Sequence, residues 1–241
     1  MQNSYSEAGN TNLNIVKEFT RFNDWVYSEV KPFIHGNILE IGSGIGVFSE
    51  RIVRDFVDSD IILSDTDPKY ISDLRDRFRI YKNVHCVQFD ASALDNFNNI
   101  NISVDTVLAI NVLEHIEDDV AVLKNIYSGL SQDGSFVILV PAHRFLFNSI
   151  DVAIGHFRRY TEKEILHKIS QTGFKVRKLF YFNFFAMFGW YINGLVIRNG
   201  IVSKNAVSIL DILTPLFRLV EHYILRRRMG ISLVVILKKD T

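Results

Sequence analysis

One cysteine, Cys86, stands among the 241 residues of this chain. A lone thiol closes no internal disulfide, so a disulfide-framed fold is excluded. Charge of one sign is lacking too, because 27 basic and 27 acidic side chains cancel. With no overall field to gather polyanions, nucleic acid is not an expected partner. The Asn- and Ser-rich start carries no basic-then-apolar leader, which gives the expectation of a cytoplasmic protein. No internal repeat is apparent. Hydrophobic residues at 48% against 22% charged describe a folded chain with a large core rather than a disordered one.

What is present is most informative at residues 38–46, Ile-Leu-Glu-Ile-Gly-Ser-Gly-Ile-Gly. A buried-strand run ends near Glu40 and breaks into Gly42, Gly44 and Gly46, where backbone without Cβ atoms lets a ligand approach closely. Residues 47–55 have helical character, and their first amides would point into the same crevice. Further strands are expected at residues 60–64, 84–89, 104–110, 135–140, 175–182 and 232–238, with helical segments between most of them. Strands alternating with helices predict crossover connections and a doubly wound, mostly parallel seven-stranded sheet. Asp67 and Pro68 read as the cap and first residue of a helix, and Thr161 with Glu164 as a capping box.

The E-x-G-x-G-x-G spacing resembles the first motif of class I S-adenosylmethionine-dependent methyltransferases, and the resemblance continues in order along residues 36–140. It implies the Rossmann-like methyltransferase fold and S-adenosylmethionine as cofactor, with S-adenosylhomocysteine as product. Glu40 and the three glycines would border the methionine end. Asp65, with Thr66 beside it, would accept from the ribose hydroxyls, and Asp90-Ala91 would read the adenine. Asn111-Val112-Leu113-Glu114-His115 resembles the "LEH" segment of small-molecule methyltransferases, placing Asn111 and Glu114 at the cofactor. Some quinone-pathway members carry an acid where this chain has Asn111, so no metal is expected.

A dinucleotide fingerprint would need glycine at position 47, which is Val47. A NAD-dependent oxidoreductase is nevertheless kept as an alternative, as is a catalytically idle cofactor-binding or membrane-associated partner protein. The absence of an Asn-Pro-Pro-Tyr or Asp-Pro-Pro-Tyr segment after the fourth strand argues against DNA adenine chemistry.

Residues 141–160 leave the carboxyl end of the fifth strand with more polar function than a connector needs. His143, Asp151, Arg158, Arg159 and Tyr160 are candidates for the acceptor, since paired arginines suit an anion. Gly-His-Phe-Arg-Arg-Tyr resembles a segment of methyltransferases of glycan or lipid-linked sugar assembly. His156, then His115, are the candidate bases toward a hydroxyl or amine. The expected acceptor is a small or lipid-linked molecule such as a sugar or a phenol or quinone precursor.

The expected organisation is an arm and helix over residues 1–35, a core over 36–178, a sixth strand with an aromatic helical insertion over 179–230, and a final strand over 231–241. Residues 179–197 carry no charge but are too interrupted to favour a membrane span. In residues 207–225, Asp211, Thr214, Arg218 and Glu221 form a narrow polar stripe beside a wide apolar face, which Pro215 would kink or divide. Two readings stand: a buried helical cap closed by Arg226-Arg227-Arg228, or a surface, within 180–228, that lies on the inner face of a membrane.

Overall fold

The computed structural model describes residues 17–93, 97, 100–192 and 204–240. The polar arm at 1–14 and the start of the helix read from Ile15 lie outside the described residues, as does the part of the charge-free run beyond residue 192.

β1 (Ile38–Ile41), β2 (Ile61–Asp65), β3 (Val84–Gln88), β4 (Val104–Ile110), β5 (Leu130–Pro141), β6 (Lys175–Phe182) and β7 (Ser232–Lys238) form one seven-stranded sheet, ordered β3-β2-β1-β4-β5-β7-β6. β1 pairs parallel to β2 and β4, while β7 runs antiparallel to both β5 and β6. This is the mostly parallel α/β sheet that the alternation of elements predicts. β5 begins at Leu130 rather than Ser135: the chain enters the sheet early, passes Asp133 at φ 56°, and the register to β4 shifts between Val104 and Thr106.

Both faces of the sheet are buried, as parallel strands covered by helices require. One face is built on Leu39, Val107, Phe136 and Val235, and the other on Ile38, Leu63, Leu108 and Val234. α1 (Thr20–Val30) covers the second face, with Trp25 against Phe182 at 4.3 Å between ring centroids. α2 (Ser49–Asp55) and α3 (Pro68–Phe78) lie between the first three strands, and Asp67 caps α3 as its sequence predicts, accepting from Lys69 N–H at 2.8 Å. α4 (Asp119–Gly129) precedes β5; α5 (Ser149–Ala153) and α6 (Glu162–Ile169) follow it, and α6 opens on the Thr161–Glu164 capping box.

Strand order reverses between β1 and β4, so the crevice at their carboxyl ends is the place where such sheets hold ligands. β6 is parallel to β5, and its carboxyl end at Phe182 therefore releases the insertion on that same side. The insertion contains α7 (Ala186–Tyr191), α8 (Lys204–Val220) and a π turn, Glu221–Leu225. α8 continues unbroken through Pro215. Its amphipathic faces are the reverse of a buried cap's. Thr214 and Glu221 are buried, and Asp211 accepts from the Phe22 N–H of α1 at 2.9 Å. Ile209, Ile212, Leu216 and Leu219 are exposed.

Candidate active site

At the end of β1 the chain turns through Gly42, Gly44 and Gly46 at φ of 69°, 51° and 77°, a region that side chains with a Cβ rarely occupy. A Cβ on Gly42 would lie 2.6 Å from Val112 Cγ2, so this glycine lets the β1 and β4 loops close on each other; one on Gly44 would meet nothing within 4 Å. Gly44 thus presents bare backbone to open space. α2 begins at Ser49, two residues later than the sequence suggests.

Glu40 sits beneath the loop, accepting from the hydroxyls of Ser43 and Ser49. Burial pushes its carboxyl up to about 7. It braces the loop from behind, a role that Ser43 and Ser49 share and that the sequence does not display. Asp65, at the end of β2, accepts from Gly44 N–H at 2.9 Å and Asp67 N–H at 3.0 Å. The Thr66 N–H bonds this carboxylate as well, leaving one of the four lone-pair directions of its oxygens. Burial raises this carboxyl as well.

Thr66 is exposed next to Asp65. Asp90 accepts from the N–H and hydroxyl of Ser92, while buried Ala91 offers its carbonyl to Asn125. Asn111 leaves β4 at φ 54° with its N–H on Leu139 O at 2.8 Å, which turns the following residues inward as a short 3₁₀ turn, Leu113–His115.

That turn drives Glu114 into the interior. It is fully buried, and neither carboxylate oxygen has a hydrogen-bond partner from another described residue. Burial pushes it up to about 8. His156 Nε2 lies 3.7 Å away and the His115 ring packs edge-on against His156, their centroids 4.7 Å apart. Burial lowers His156 and drives His115 down to about 4, so both imidazoles are neutral near pH 7. One ligand atom each from Glu114, His115 and His156 falls within 4.8 Å of the others, a spacing able to hold a metal ion.

On its other side His156 is held by Asp151, whose Oδ2 also accepts from the Asn148 N–H in a capping box and whose Oδ1 accepts from Arg159 Nε at 2.8 Å. Burial raises Asp151, but the bonds from His156 and Arg159 outweigh it and hold the carboxyl below the usual range. The Arg159 guanidinium lies 4.7 Å from the centre of the Trp190 ring, a favourable cation–π contact.

The sequence presents Arg158, Arg159 and Tyr160 as acceptor ligands, but their polar ends turn onto carboxylates of the chain itself. Arg159 is buried on Asp151. Tyr160 donates to Asp119 at 2.7 Å, which also takes Arg158 at 2.9 Å and Lys168 at 2.6 Å. Asp119 is missed by the sequence reading, although a signal exists: Asp118 already caps α4, leaving a second aspartate with no local task. His143, at φ 65°, stacks on Tyr181 with centroids 5.1 Å apart, and its Nε2 is buried without a hydrogen-bond partner among the described residues.

Residues 39–136 match the family model described as "Methyltransferase domain". A curated relative, malonyl-[acyl-carrier protein] O-methyltransferase 1 of Ilyobacter polytropus, is 22% identical over an alignment covering 61% of this chain and 58% of that protein. This chain thus spans little more than half the length of that relative. The fold is similar to a putative sarcosine dimethylglycine methyltransferase from Galdieria sulphuraria (TM-score 0.61, 16% identity, 91% of this chain and 85% of that one). It is similar also to the chain solved in a complex between the Haloferax volcanii Trm112 methyltransferase activator and a putative methyltransferase (TM-score 0.62, 13% identity, 98% and 99%). A methyltransferase from Mesorhizobium loti, S-adenosylmethionine-dependent by its description, gives a TM-score of 0.60 at 14% identity, over 90% and 97%. Residues 39–136 therefore carry the likeness to a methyltransferase domain, within the Rossmann-like fold that the chain shares with these solved structures. The Gly-His-Phe-Arg-Arg-Tyr segment lies outside the matched residues.

Proposed function

We propose that this protein transfers a methyl group from S-adenosylmethionine to a hydroxyl, or an amine, of a small or lipid-linked acceptor. The observation that carries the reading is the cradle at the end of β1, where Gly44 offers its backbone to open space beside the remaining lone pair of Asp65. An added Cβ or a displaced carboxylate would close that cradle, and the donor set suits a hydroxylated, cationic ligand. Gly42, Gly44, Gly46, Asp65, Asp90 and Asn111 would hold the cofactor, with Thr66 and Ala91 at its rim. When bound, S-adenosylmethionine supplies an electrophilic methyl group.

The remaining work falls to residues of the chain. His156 donates from Nδ1 to Asp151, which fixes the tautomer with Nε2 as the basic nitrogen. Nε2 faces buried Glu114, and an acceptor hydroxyl delivered there would give its proton to His156. Arg159 and Asp151 act as positioning residues for His156. Asp119, with Arg158, Tyr160 and Lys168, ties the segment after β5 to α4 and α6. Holding acceptor and donor in line is worth up to about 7–11 kcal/mol of the barrier, so a rigid setting of this kind serves the reaction directly.

Calorimetry with S-adenosylmethionine tests the cofactor assignment. The wild-type chain should bind and Asp65→Ala should lose most of the affinity. Absence of binding to the wild type would overturn the reading. A labelled-methyl assay on lipid and aqueous extracts, tested separately, then identifies the acceptor class.

A further inference from the structure

α8 and the π turn after it present an apolar surface to the exterior. Ile209, Ile212, Leu216, Leu219, Tyr223 and Ile224 form it, and the last of these is 71% exposed. A contiguous apolar surface of this kind on a folded chain marks an interaction site. Of the polar stripe, Thr214 and Glu221 are buried and Asp211 is half-buried. Glu221 accepts from the N–H groups of Asn183 and Phe184, and Asp211 from that of Phe22. The helix is thus fixed with its apolar side outward by hydrogen bonds on its inner side.

The charges around this surface are mainly positive. Residues 183–230 contain two acids, Asp211 and Glu221, both turned inward, against six cations. Arg218, Arg226 and Arg228 are exposed, while Arg227 is pinned to Glu29 at 2.7 Å. Between α1 and α8 an open cleft of about 510 Å³ is lined by Arg21, Arg218 and His222 together with Trp25, Leu219 and Tyr223. Its one acid, Asp24, is engaged by Arg51 at 2.7 Å. A second cleft, of about 460 Å³, lies across His222 and is lined by Lys178, Arg226 and Arg227, with one acid, Glu29, which Arg227 engages.

We propose that this face docks the protein on an anionic lipid surface, with the apolar side chains entering the headgroup boundary and the two cationic clefts receiving lipid phosphates. An outward apolar face bordered by cations is the pattern of an interfacial helix, and anionic headgroups supply the countercharge that the face lacks. A second copy of the chain does not supply it. A twofold contact sets the face against itself, arginines included, and its acids, Asp24 and Glu29, are already engaged by Arg51 and Arg227 of their own chain. No helix among the described residues is long and apolar enough to cross a membrane, so the contact is peripheral. The insertion leaves β6 on the ligand-bearing side of the sheet. The proposal does not depend on methyl transfer.

Co-sedimentation of the full chain tests it, using vesicles of phosphatidylcholine alone and vesicles in which one lipid in three is phosphatidylglycerol. Binding should be at least about tenfold stronger to the anionic vesicles and should weaken with salt. Ile212→Asp with Leu216→Asp should abolish it. Arg226→Glu with Arg228→Glu should remove the preference for anionic lipid. All four positions are exposed, and circular dichroism checks that the variants fold. Failure of the wild type to bind anionic vesicles overturns the proposal. So does binding that survives Ile212→Asp with Leu216→Asp, and so does a dimer, seen by light scattering, that these substitutions dissociate. Affinity for S-adenosylmethionine, measured on the same variants, should be unchanged, which separates this outcome from the fate of the proposed reaction.

Discussion

Asp151 Oδ1 lies 2.8 Å from His156 Nδ1 and equally 2.8 Å from Arg159 Nε, so one buried oxygen sets both an imidazole and a guanidinium. Asp151→Asn removes the charge that fixes the His156 tautomer. Turnover should drop by roughly 10²–10⁴-fold while S-adenosylmethionine affinity, measured by calorimetry, persists. Because burial holds His156 below its ordinary value, the wild-type chain should keep a neutral base down past pH 6.5, and the proposed transfer should lose kcat/KM only below that. A merely structural Asp151 would lower stability without altering this pH profile.

Stability should depend on pH in a direction set by buried carboxyls. Glu114 at about 8 and Glu40 and Glu221 at about 7 stay protonated in the folded chain at pH values where the unfolded chain has ionised them. The folded state then binds more protons, and its stability falls as pH rises toward 8. His115 and His156, both lowered, act in the opposite sense, but only below about pH 6.5, the usual histidine value. Between pH 6.5 and 8 the melting temperature should therefore decrease. Glu114→Gln should flatten that slope, and an unchanged slope would refute the assignment to Glu114.

Two glycines of the loop, Gly42 and Gly44, should separate strain from ligand contact. Gly42→Ala brings a Cβ to 2.6 Å from Val112 in addition to the left-handed φ, whereas Gly44→Ala meets only the φ cost of roughly 1–2 kcal/mol. Urea denaturation should show Gly42→Ala as the less stable variant. Calorimetry should show Gly44→Ala, though folded, with weakened S-adenosylmethionine binding.

Asp119 collects a tyrosine, an arginine and a lysine. Tyr160→Phe leaves it two cations and should cost about 1–3 kcal/mol in urea denaturation. Asp119→Ala strands the buried Tyr160 hydroxyl and both cations and should cost more, about 3–5 kcal/mol. Equal losses would mean that the tyrosine hydroxyl alone carries the link.

Much of the scaffold is legible in the chain itself. β4 and β7 appear at their observed bounds, because short runs rich in Val, Ile and Leu flanked by polar residues have little other use. The glycines, Asp65 and Asn111 follow from order along the sequence. The polar network after β5 does not, because composition shows that Arg158 and Arg159 are cations but not that Asp119 and Asp151 wait for them. The burial of Glu114 is likewise set by the turn at Asn111, a positive φ that no pattern announces. For α8, periodicity defines two faces and leaves open which one faces out. That choice is made by single hydrogen bonds to Phe22, Asn183 and Phe184, whose partners are remote in sequence.

The position of β7 bears on how the molecule comes into being. β6 has no neighbour in the sheet other than β7, which is reached only after about fifty further residues. On a growing chain, β6 and the insertion must wait on the ribosome's side of events while α8 already exposes its leucines and isoleucines. An anionic bilayer near the site of synthesis would shelter that helix during the delay, so the surface proposed for docking would double as the segment most in need of early cover.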